Sequence, residues 1–326
     1  MEVQALFSAI RRRERHALAQ GITLVESTRS EDRIKADQLL SLVLPYAGNS
    51  FRLGISGIPG VGKSTLIEAL GGELLRSNPQ LQLACLTVDP SSPRNGGSIL
   101  GDKIRMEELS RHPQAYIRSS PSGGYGGGTA ATTQETLLLL EAAGFNLCVI
   151  ETVGVGQSEI EVSTMVDALL LLLMPHTGDE IQSIKKGLQE LAQFIVINKA
   201  DGELREAAQL TQQRMLSAFK LLAFNGEPLP EVHLCSAQQG SGIENLGRNL
   251  IQFSKSQRQS GATAKLRVKQ MQQWFAREVS NALSKRFFGE GDNQQRYLQW
   301  EAELVAGKLT AGAAARFLFA GHLPPA

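Results

Sequence analysis

The segment that decides the fold is Gly57-Ile58-Pro59-Gly60-Val61-Gly62-Lys63-Ser64-Thr65, which matches GxxxxGK[ST] at every fixed position. Residues 51–56 before it alternate like a short buried strand, and residues 65–75 after it have helical spacing. Its glycines let main-chain N–H groups face phosphate oxygens, and the helix start adds its positive dipole end. A glycine-rich turn without a ligand is the alternative, but the flanking strand and helix favour a phosphate cradle. Lys63 would reach the β- and γ-phosphates, and Ser64 would bind Mg²⁺.

Strands and helices alternate after this segment, which indicates a mostly parallel sheet covered on both faces. The predicted strands span residues 52–56, 83–88, 116–118, 147–151, 168–174, 194–198 and 232–235. We therefore predict an α/β fold of the P-loop NTPase class, a mostly parallel doubly wound sheet flanked by N-terminal and C-terminal helical extensions. Such sheets bind ligands at the carboxyl ends of their strands.

The nucleotide base is predicted by Asn198-Lys199-Ala200-Asp201, directly after an apolar strand. The Asp201 carboxylate can accept from the N1–H and 2-amino groups of guanine, whereas adenine offers neither donor there. An unpaired buried charge is costly, so this residue selects GTP over ATP. Asn198 would fix the loop geometry, and the stem of Lys199 would lie against the base. Ser236-Ala237, after the last strand, would complete the base pocket.

Acidic residues follow three other predicted strands and indicate a magnesium site. Glu151 precedes Gly154, whose N–H can sense the γ-phosphate, and an acid at this place can hold Mg²⁺. Asp89 ends a strand just before a proline, and Asp102 lies in a glycine-bounded loop. For Asp102, an ordinary turn aspartate is an equal alternative on sequence grounds alone.

The loop after Gly154 is a switch candidate with an unusual composition. Position 155, where many small GTPases keep a water-orienting glutamine, holds valine. An aliphatic side chain cannot orient water, so we expect slow intrinsic hydrolysis that a partner or a second loop accelerates. Gln157 is a possible substitute for the missing glutamine.

Composition excludes several classes of protein. The 326 residues contain 33 Lys and Arg against 32 Asp and Glu, so charge attracts the chain neither to nucleic acid nor to a membrane. The basic run at residues 11–15 is interpreted as a solvated helix face. Three dispersed cysteines and no signal-peptide pattern favour the cytoplasm.

Helical spacing outside the sheet divides the chain into three parts. Residues 1–47 form an N-terminal helical extension, broken near Gly21 and residues 27–32, and residues 48–258 form the P-loop GTPase domain. Residues 259–326 form a helical tail, with helices predicted at 265–288, 294–306 and 311–319. An amphipathic tail can pack on the core, but it also suits a dimer interface, which is slightly favoured.

With these motifs assembled, the chain resembles the MeaB/ArgK-type methylmalonyl-CoA mutase-associated GTPases, a metallochaperone-like branch of P-loop GTPases. The resemblance rests on GIPGVGKST, VDPSSP, GDKIRM, ETVGVGQSE and INKAD. It implies that Ser64, Asp89, Asp102 and Glu151 surround the metal. It also identifies residues 178–187 as similar to an additional switch loop, in which Asp179 and Lys185 respond to the mutase and support hydrolysis.

The resemblance further implies a GTP-hydrolysing chaperone that assists assembly, cofactor loading or protection of an adenosylcobalamin-dependent methylmalonyl-CoA mutase. It implies a homodimer formed through the C-terminal helices. The expected cofactor is Mg²⁺ with GTP or GDP, with no tightly bound organic cofactor, nucleic acid or membrane partner.

Two other functions compete with the mutase chaperone. A nickel-inserting GTPase needs a His-rich tract or a Cys/His cluster, and the five histidines here are isolated. A GTPase or kinase acting on a periplasmic arginine/ornithine transport component would transfer phosphate to a protein. The guanine-selective motif argues against the kinase.

The base-pocket interpretation predicts that Asp201→Asn shifts nucleotide preference from guanine towards xanthine. GTP affinity should fall by about ten- to a hundredfold, because mispairing a buried polar group costs about 1–3 kcal/mol. Equilibrium binding of GTP and XTP measures the change. Unchanged GTP affinity would contradict the assignment.

Overall fold

The computed structural model describes residues 2–89, 106–121, 128–152, 158–175, 191–222, 229–289 and 292–320. At its centre is a seven-stranded sheet in the order β3-β2-β4-β1-β5-β6-β7, with every strand pair parallel. The predicted α/β fold is therefore confirmed. The strands are β1 Phe51–Gly57, β2 Leu83–Asp89, β3 Ala115–Pro121, β4 Leu147–Thr152, β5 Ala168–Leu173, β6 Phe194–Ile197 and β7 Glu231–Leu234.

Helices precede, connect and follow these strands. Three precede the sheet: α1 Val3–Arg11, α2 Arg15–Glu26 and α3 Ser30–Val43. Those between strands are α4 Lys63–Ser77, α5 Glu107–Arg111, α6 Gly128–Ala142, α7 Ser158–Ser163 and α8 Arg205–Leu222. Those after the sheet are α9 Ile243–Gln259, α10 Ala262–Gly289, α11 Asn293–Val305 and α12 Ala311–Phe319.

Helices cover both faces of the sheet. Successive strand residues point to opposite faces, so each strand contributes side chains to both cores. In β4, Leu147 and Val149 join the core that also contains residues of α4, α5 and α9. Cys148 and Ile150 join the second core, which contains residues of α1, α2, α3 and α6. In a sheet covered on both faces, the carboxyl ends of the strands are the place where a ligand is expected to bind.

The N-terminal helices correct two predictions. Gly21 does not break a helix but lies inside α2, where a Cβ would stand 2.8 Å from Ile10 Cδ1. The glycine therefore serves close helix packing. The basic run is also more than a solvated face, since Arg11 donates to the carbonyl of Ala142 and Arg13 Nε donates to that of Ala143 at 3.1 Å. These guanidinium groups satisfy carbonyls at the end of α6 that have no helical partner.

The chain separates into two compact units, Met1–Gln270 and Met271–Ala326. In the second unit, Trp300, Ala314 and Leu318 form a small core. The division at 47/48 and 258/259 stays a prediction. Cys85, Cys148 and Cys235 are free and buried, as expected for small core residues. Within the described ranges, no helix combines the length and apolar character needed to cross a bilayer.

A buried ion network holds the start of β1. The Glu141 carboxylate of α6 accepts from Arg52 Nε and Nη2 at 2.8 Å each and from Ser50 Oγ at 2.5 Å. Arg267 of α10 makes a bidentate pair with Asp167 at 2.8 and 2.7 Å. Burial by itself raises the pKa of Glu141, but hydrogen bonds and charges from Arg52, Ser50 and Arg267 outweigh it, and the net pKa is lowered.

Glu141→Gln is expected to destabilise the protein by about 3 kcal/mol at pH 7, because it leaves buried guanidinium charge poorly compensated. The folded pKa of Glu141 lies below the unfolded value of about 4.3. The loss of unfolding free energy caused by Glu141→Gln is therefore largest above the unfolded pKa of about 4.3, and it shrinks as the pH falls through the folded pKa. Urea unfolding across pH measures it. As a control, Glu244→Gln removes an exposed pair with Arg248 and should cost less than about 1 kcal/mol. An equally small loss for Glu141→Gln would contradict the role of the network.

Candidate functional site: a phosphate cradle joined to a base pocket

The cradle is a sharp turn between β1 and α4 that only glycine permits at two positions. Gly57 has φ 153°, and a Cβ there would lie 2.5 Å from the carbonyl oxygen of Leu172. Gly62 has φ 98°, and its Cβ would lie 2.6 Å from Asn198 Nδ2. Because α4 begins at Lys63, the start of this helix, where backbone N–H groups lack acceptors within the helix itself, lies directly after this turn. An anion is the ligand that such a turn accepts.

Lys63 places its charge inside the turn. The residue is only 8% exposed, and Nζ donates to the carbonyl oxygens of Gly57 at 2.7 Å and Ile58 at 3.3 Å. By contrast, Ile58, Pro59 and Gly60 are exposed at the rim. The ammonium group is therefore held beside the main chain that would surround a phosphate.

Two predicted metal residues meet below the cradle. Ser64 Oγ donates to Glu151 Oε1 at 3.0 Å, although the residues are 87 positions apart. Parallel pairing brings them together, because β1 lies beside β4 with Ile55 opposite Glu151. A hydroxyl and a carboxylate are hard oxygen donors of the kind that Mg²⁺ prefers, so this pair fits the predicted ion.

The end of β2 brings a third metal candidate to the same edge of the sheet. Thr87 stands opposite Glu151, and Asp89 is the last residue of β2. Asp89 thus follows the strand that neighbours β4, but its side chain lies outside the description. So does the whole of Asp102.

Asn198 joins the cradle to the predicted base pocket. Its side chain is 2% exposed, and Nδ2 donates to the carbonyl oxygen of Val61 at 2.8 Å. Its Oδ1 accepts from the N–H of Ala237 at 3.1 Å. One amide group therefore binds the P-loop, the end of β6 and the loop after β7 together.

The other base-pocket residues lie around Asn198. Lys199 has a left-handed backbone, φ 56°, and its Nζ donates to the carbonyl oxygen of Gly60 at 3.1 Å. Asp201 is partly exposed at the start of a 3₁₀ turn. Ser236 is buried, and its Oγ accepts from the N–H of Gln239 at 3.2 Å. The predicted base-binding residues and the P-loop thus form one connected surface.

Sequence reasoning missed the contribution of Cys235, which it treated only as a small core residue. Its N–H donates to the carbonyl of Ile197, and its carbonyl accepts from the N–H of Ala200, both at 3.0 Å. These bonds hold the two base-pocket loops side by side. Main-chain groups leave no side-chain pattern, so the sequence carries no signal for this role.

The remaining predicted site residues lie outside the described residues. Gly154 and Gln157 fall in residues 153–157, and Asp179 and Lys185 fall in residues 176–190. Their roles stay predictions.

Comparison with known proteins agrees with this site. A family model described as "Methylmalonyl Co-A mutase-associated GTPase MeaB" matches residues 18–292. A probable GTPase of Mycobacterium tuberculosis is 45% identical over 316 residues, covering 96% of this chain and 93% of that protein. GTPase ArgK of Escherichia coli is 42% identical over 291 residues, covering 89% and 87%.

More distant relatives extend the same comparison. The mitochondrial methylmalonic aciduria type A homolog of Mus musculus is 40% identical over 327 residues, covering 97% of this chain and 78% of that protein. A crystal structure described as LAO/AO transport system kinase superposes with a TM-score of 0.77 and 34% identity, covering 97% and 96%. With its phosphate cradle, its guanine motif and these relatives, the chain is a GTPase and belongs to the MeaB family of methylmalonyl-CoA mutase-associated GTPases.

Proposed function

We propose that this GTPase is a chaperone for an adenosylcobalamin-dependent methylmalonyl-CoA mutase, assisting its assembly, cofactor loading or protection. The match of the MeaB family model to residues 18–292 carries the proposal. The name of the mouse relative, which refers to methylmalonic aciduria, supports the same client. The client uses the conformational change that accompanies the GTP cycle rather than a chemical product.

Nucleotide binding follows from the connected surface of the cradle and base pocket. The first turn of α4 and the main chain at residues 57–62 would receive the phosphates, and Lys63 would add positive charge. Asp201 would accept from guanine, while the Asn198 amide keeps the base pocket at a set distance from the cradle. Because Asn198 contacts Val61 directly, movement at either end of the nucleotide would reach the other end.

Magnesium would be held by Ser64, Asp89, Asp102 and Glu151. The hydrogen bond between Ser64 and Glu151 supports this set, since it shows two of the oxygen donors already together. The bound ion would neutralise charge on the β- and γ-phosphates. P-loop GTPases generally use Mg²⁺ with their nucleotide, which agrees with this arrangement.

Hydrolysis would depend on residues of the switch segments. Gly154 would sense the γ-phosphate, and Gln157 would orient the attacking water in place of the valine at position 155. Lys185 would stabilise charge that develops on the γ-phosphate, with Asp179 responding to the mutase. A partner that places Lys185 correctly would thus accelerate a slow intrinsic reaction.

The transport-system kinase named by the superposed crystal structure is the second candidate. It requires phosphate to pass to a protein acceptor, whereas the chaperone releases phosphate to water. The guanine motif at Asn198 and Asp201 favours the chaperone, because a carboxylate aimed at the base edge rejects ATP.

We also propose a cytoplasmic homodimer. Three free, buried cysteines suit a reducing compartment. Met271, Phe275, Val279 and Leu283 recur along α10 at helical spacing and are 60, 69, 41 and 63% exposed. A continuous apolar stripe of this kind is costly in water, and a second copy with the same stripe would cover it.

The chaperone proposal predicts that the host's cobalamin-dependent mutase stimulates GTP turnover by this protein. Lys185→Ala should lower the mutase-stimulated rate of GTP turnover at least about tenfold. The physical reason is that a cation at the γ-phosphate accelerates hydrolysis on the order of 10³-fold or more. Nucleotide affinity should stay nearly unchanged. Lys186→Ala, which removes the neighbouring charge, is the control and should retain stimulation. If the mutase neither stimulated turnover nor bound the protein, the client assignment would be wrong.

The dimer proposal predicts that Phe275→Glu weakens self-association at least tenfold, because it places a charge in the middle of the apolar stripe. Sedimentation equilibrium measures the change. Gln273→Glu adds the same charge on another side of α10 and should leave the dimer intact. A wild-type protein that sediments as a monomer would refute the assignment of the stripe.

A further inference from the structure

The second compact unit contains an apolar groove of about 790 Å³ between α10, α11 and α12. We call it the aromatic groove, because its largest lining side chains are Phe287, Phe288, Tyr297, Trp300, Leu318 and Phe319. Phe288, Tyr297 and Phe319 are 40, 40 and 72% exposed, so the groove is open to solvent. An open apolar surface of this kind marks a place where another apolar surface binds.

Contacts between aromatic rings fix the walls of the groove. The ring of Phe287 lies 5.2 Å from that of Phe288 and 4.8 Å from that of Phe319, measured between centroids. The rings of Phe288 and Tyr297 are 5.4 Å apart. Side chains that already hold one another lose little freedom when a partner arrives. The aromatic groove is therefore a preformed receptor for apolar side chains.

The second unit buries few of its own apolar side chains. Among its described residues, the buried hydrophobic ones are Trp300, Ala314 and Leu318. Domains below about 60 residues are marginally stable even when their core is of ordinary size. Further apolar burial from outside the unit would therefore stabilise it.

The same unit carries the apolar stripe of α10, and Leu283 belongs both to the stripe and to the lining of the groove. From their exposed fractions, the stripe and the three exposed aromatic residues present roughly 700 Å² of side-chain surface. A protein–protein interface of standard size buries about 800 Å² on each partner. The stripe and the groove of one copy therefore supply most of the area that one stable interface needs.

Two-fold symmetry provides one way to cover both surfaces at once. In an isologous interface, the same patch of each copy takes part, and every contact occurs twice. If α10 crosses α10 of a second copy in an antiparallel direction near Leu283, Phe275 and Val279 of each copy pass over the groove of the other. One symmetry operation then covers two stripes and two grooves, whereas an unrelated partner would have to present a matching ridge and a matching groove of its own.

We propose that the apolar stripe of each copy binds in the aromatic groove of a second copy, so that the two units complete each other's core. The inference rests on the proposed homodimer and adds which surfaces meet. It assigns the stripe to the groove, and not the stripe of one copy to the stripe of the other.

Blocking the groove tests this assignment in the full-length protein. Ala315 is exposed and lines the groove, so Ala315→Trp should weaken self-association at least about tenfold in sedimentation equilibrium, although the stripe is intact. Ala311→Trp blocks the groove at the start of α12 and should act in the same direction, which covers the case that one variant misfolds. Ala302→Trp is the matched control, because Ala302 is exposed on α11 and does not line the groove. It should stay within about twofold of wild type.

Mixing two defective variants separates binding of the stripe in the groove from binding of the stripe to the other stripe. Phe275→Ala has a truncated stripe and an open groove, whereas Ala315→Trp has an intact stripe and a blocked groove. Each homodimer would therefore lack both good contacts, but the mixed dimer would keep one, the intact stripe in the open groove. An equimolar mixture should associate at least about threefold more tightly than either variant alone. No gain on mixing would overturn the proposal.

The remaining outcomes distinguish this inference from the dimer on which it rests. A wild-type protein that sediments as a monomer would refute both. A wild-type dimer that both groove-blocking variants leave intact would refute only the assignment of the groove. If those variants stayed dimeric but lost mutase-stimulated GTP turnover, the groove would be a site for the client, and the proposal would be wrong.

Discussion

The amide side chain of Asn198 is the interaction on which the rest of the site depends. It donates to the carbonyl of Val61 and accepts from the N–H of Ala237, so it joins the P-loop to both base-pocket loops. The contact is buried, where an unmade hydrogen bond is costly, and it therefore resists replacement by water. Gly62 must lack a side chain because Asn198 Nδ2 occupies the space of a Cβ. The predicted cradle and base pocket are thus joined by direct hydrogen bonds, as the proposed binding of both ends of a nucleotide requires.

A network of ion pairs at the amino end of β1 supports the site from the other end of that strand. Glu141, Arg52, Arg267 and Asp167 form a buried network at the start of β1, while Gly57 ends the same strand in the cradle. The strand is therefore anchored by ion pairs at one end and carries the phosphate turn at the other. Arg267 lies near the start of α10, within the same compact unit as β1. Rigid placement of this kind reduces the ordering cost when a ligand binds.

The errors of sequence reasoning have a common physical origin. Gly21 looked like a helix break because glycine has weak helix propensity, but the close approach of Ile10 outweighs propensity inside a packed bundle. Arg11 and Arg13 looked solvated because their neighbours are charged, yet the carbonyls at the end of α6 provide their partners. Cys235 carries no polar pattern, since its main chain makes the contacts. In each case the deciding partner lies on another element, and periodicity describes only one element at a time.

By itself the sequence determined the fold class and the strand and helix positions to within a few residues, and it predicted the phosphate and guanine motifs. These features are local, because cradle geometry and base selectivity depend on residues a few positions apart and on the strand before them. Only the tertiary structure decided that Ser64 meets Glu151, that Asn198 meets Val61 and that Glu68 caps α5. Such contacts join residues 40 to 137 positions apart. These contacts follow from the order of the strands in the sheet and from the direction of the side chains. The residue pattern of a single helix or strand carries no information on either.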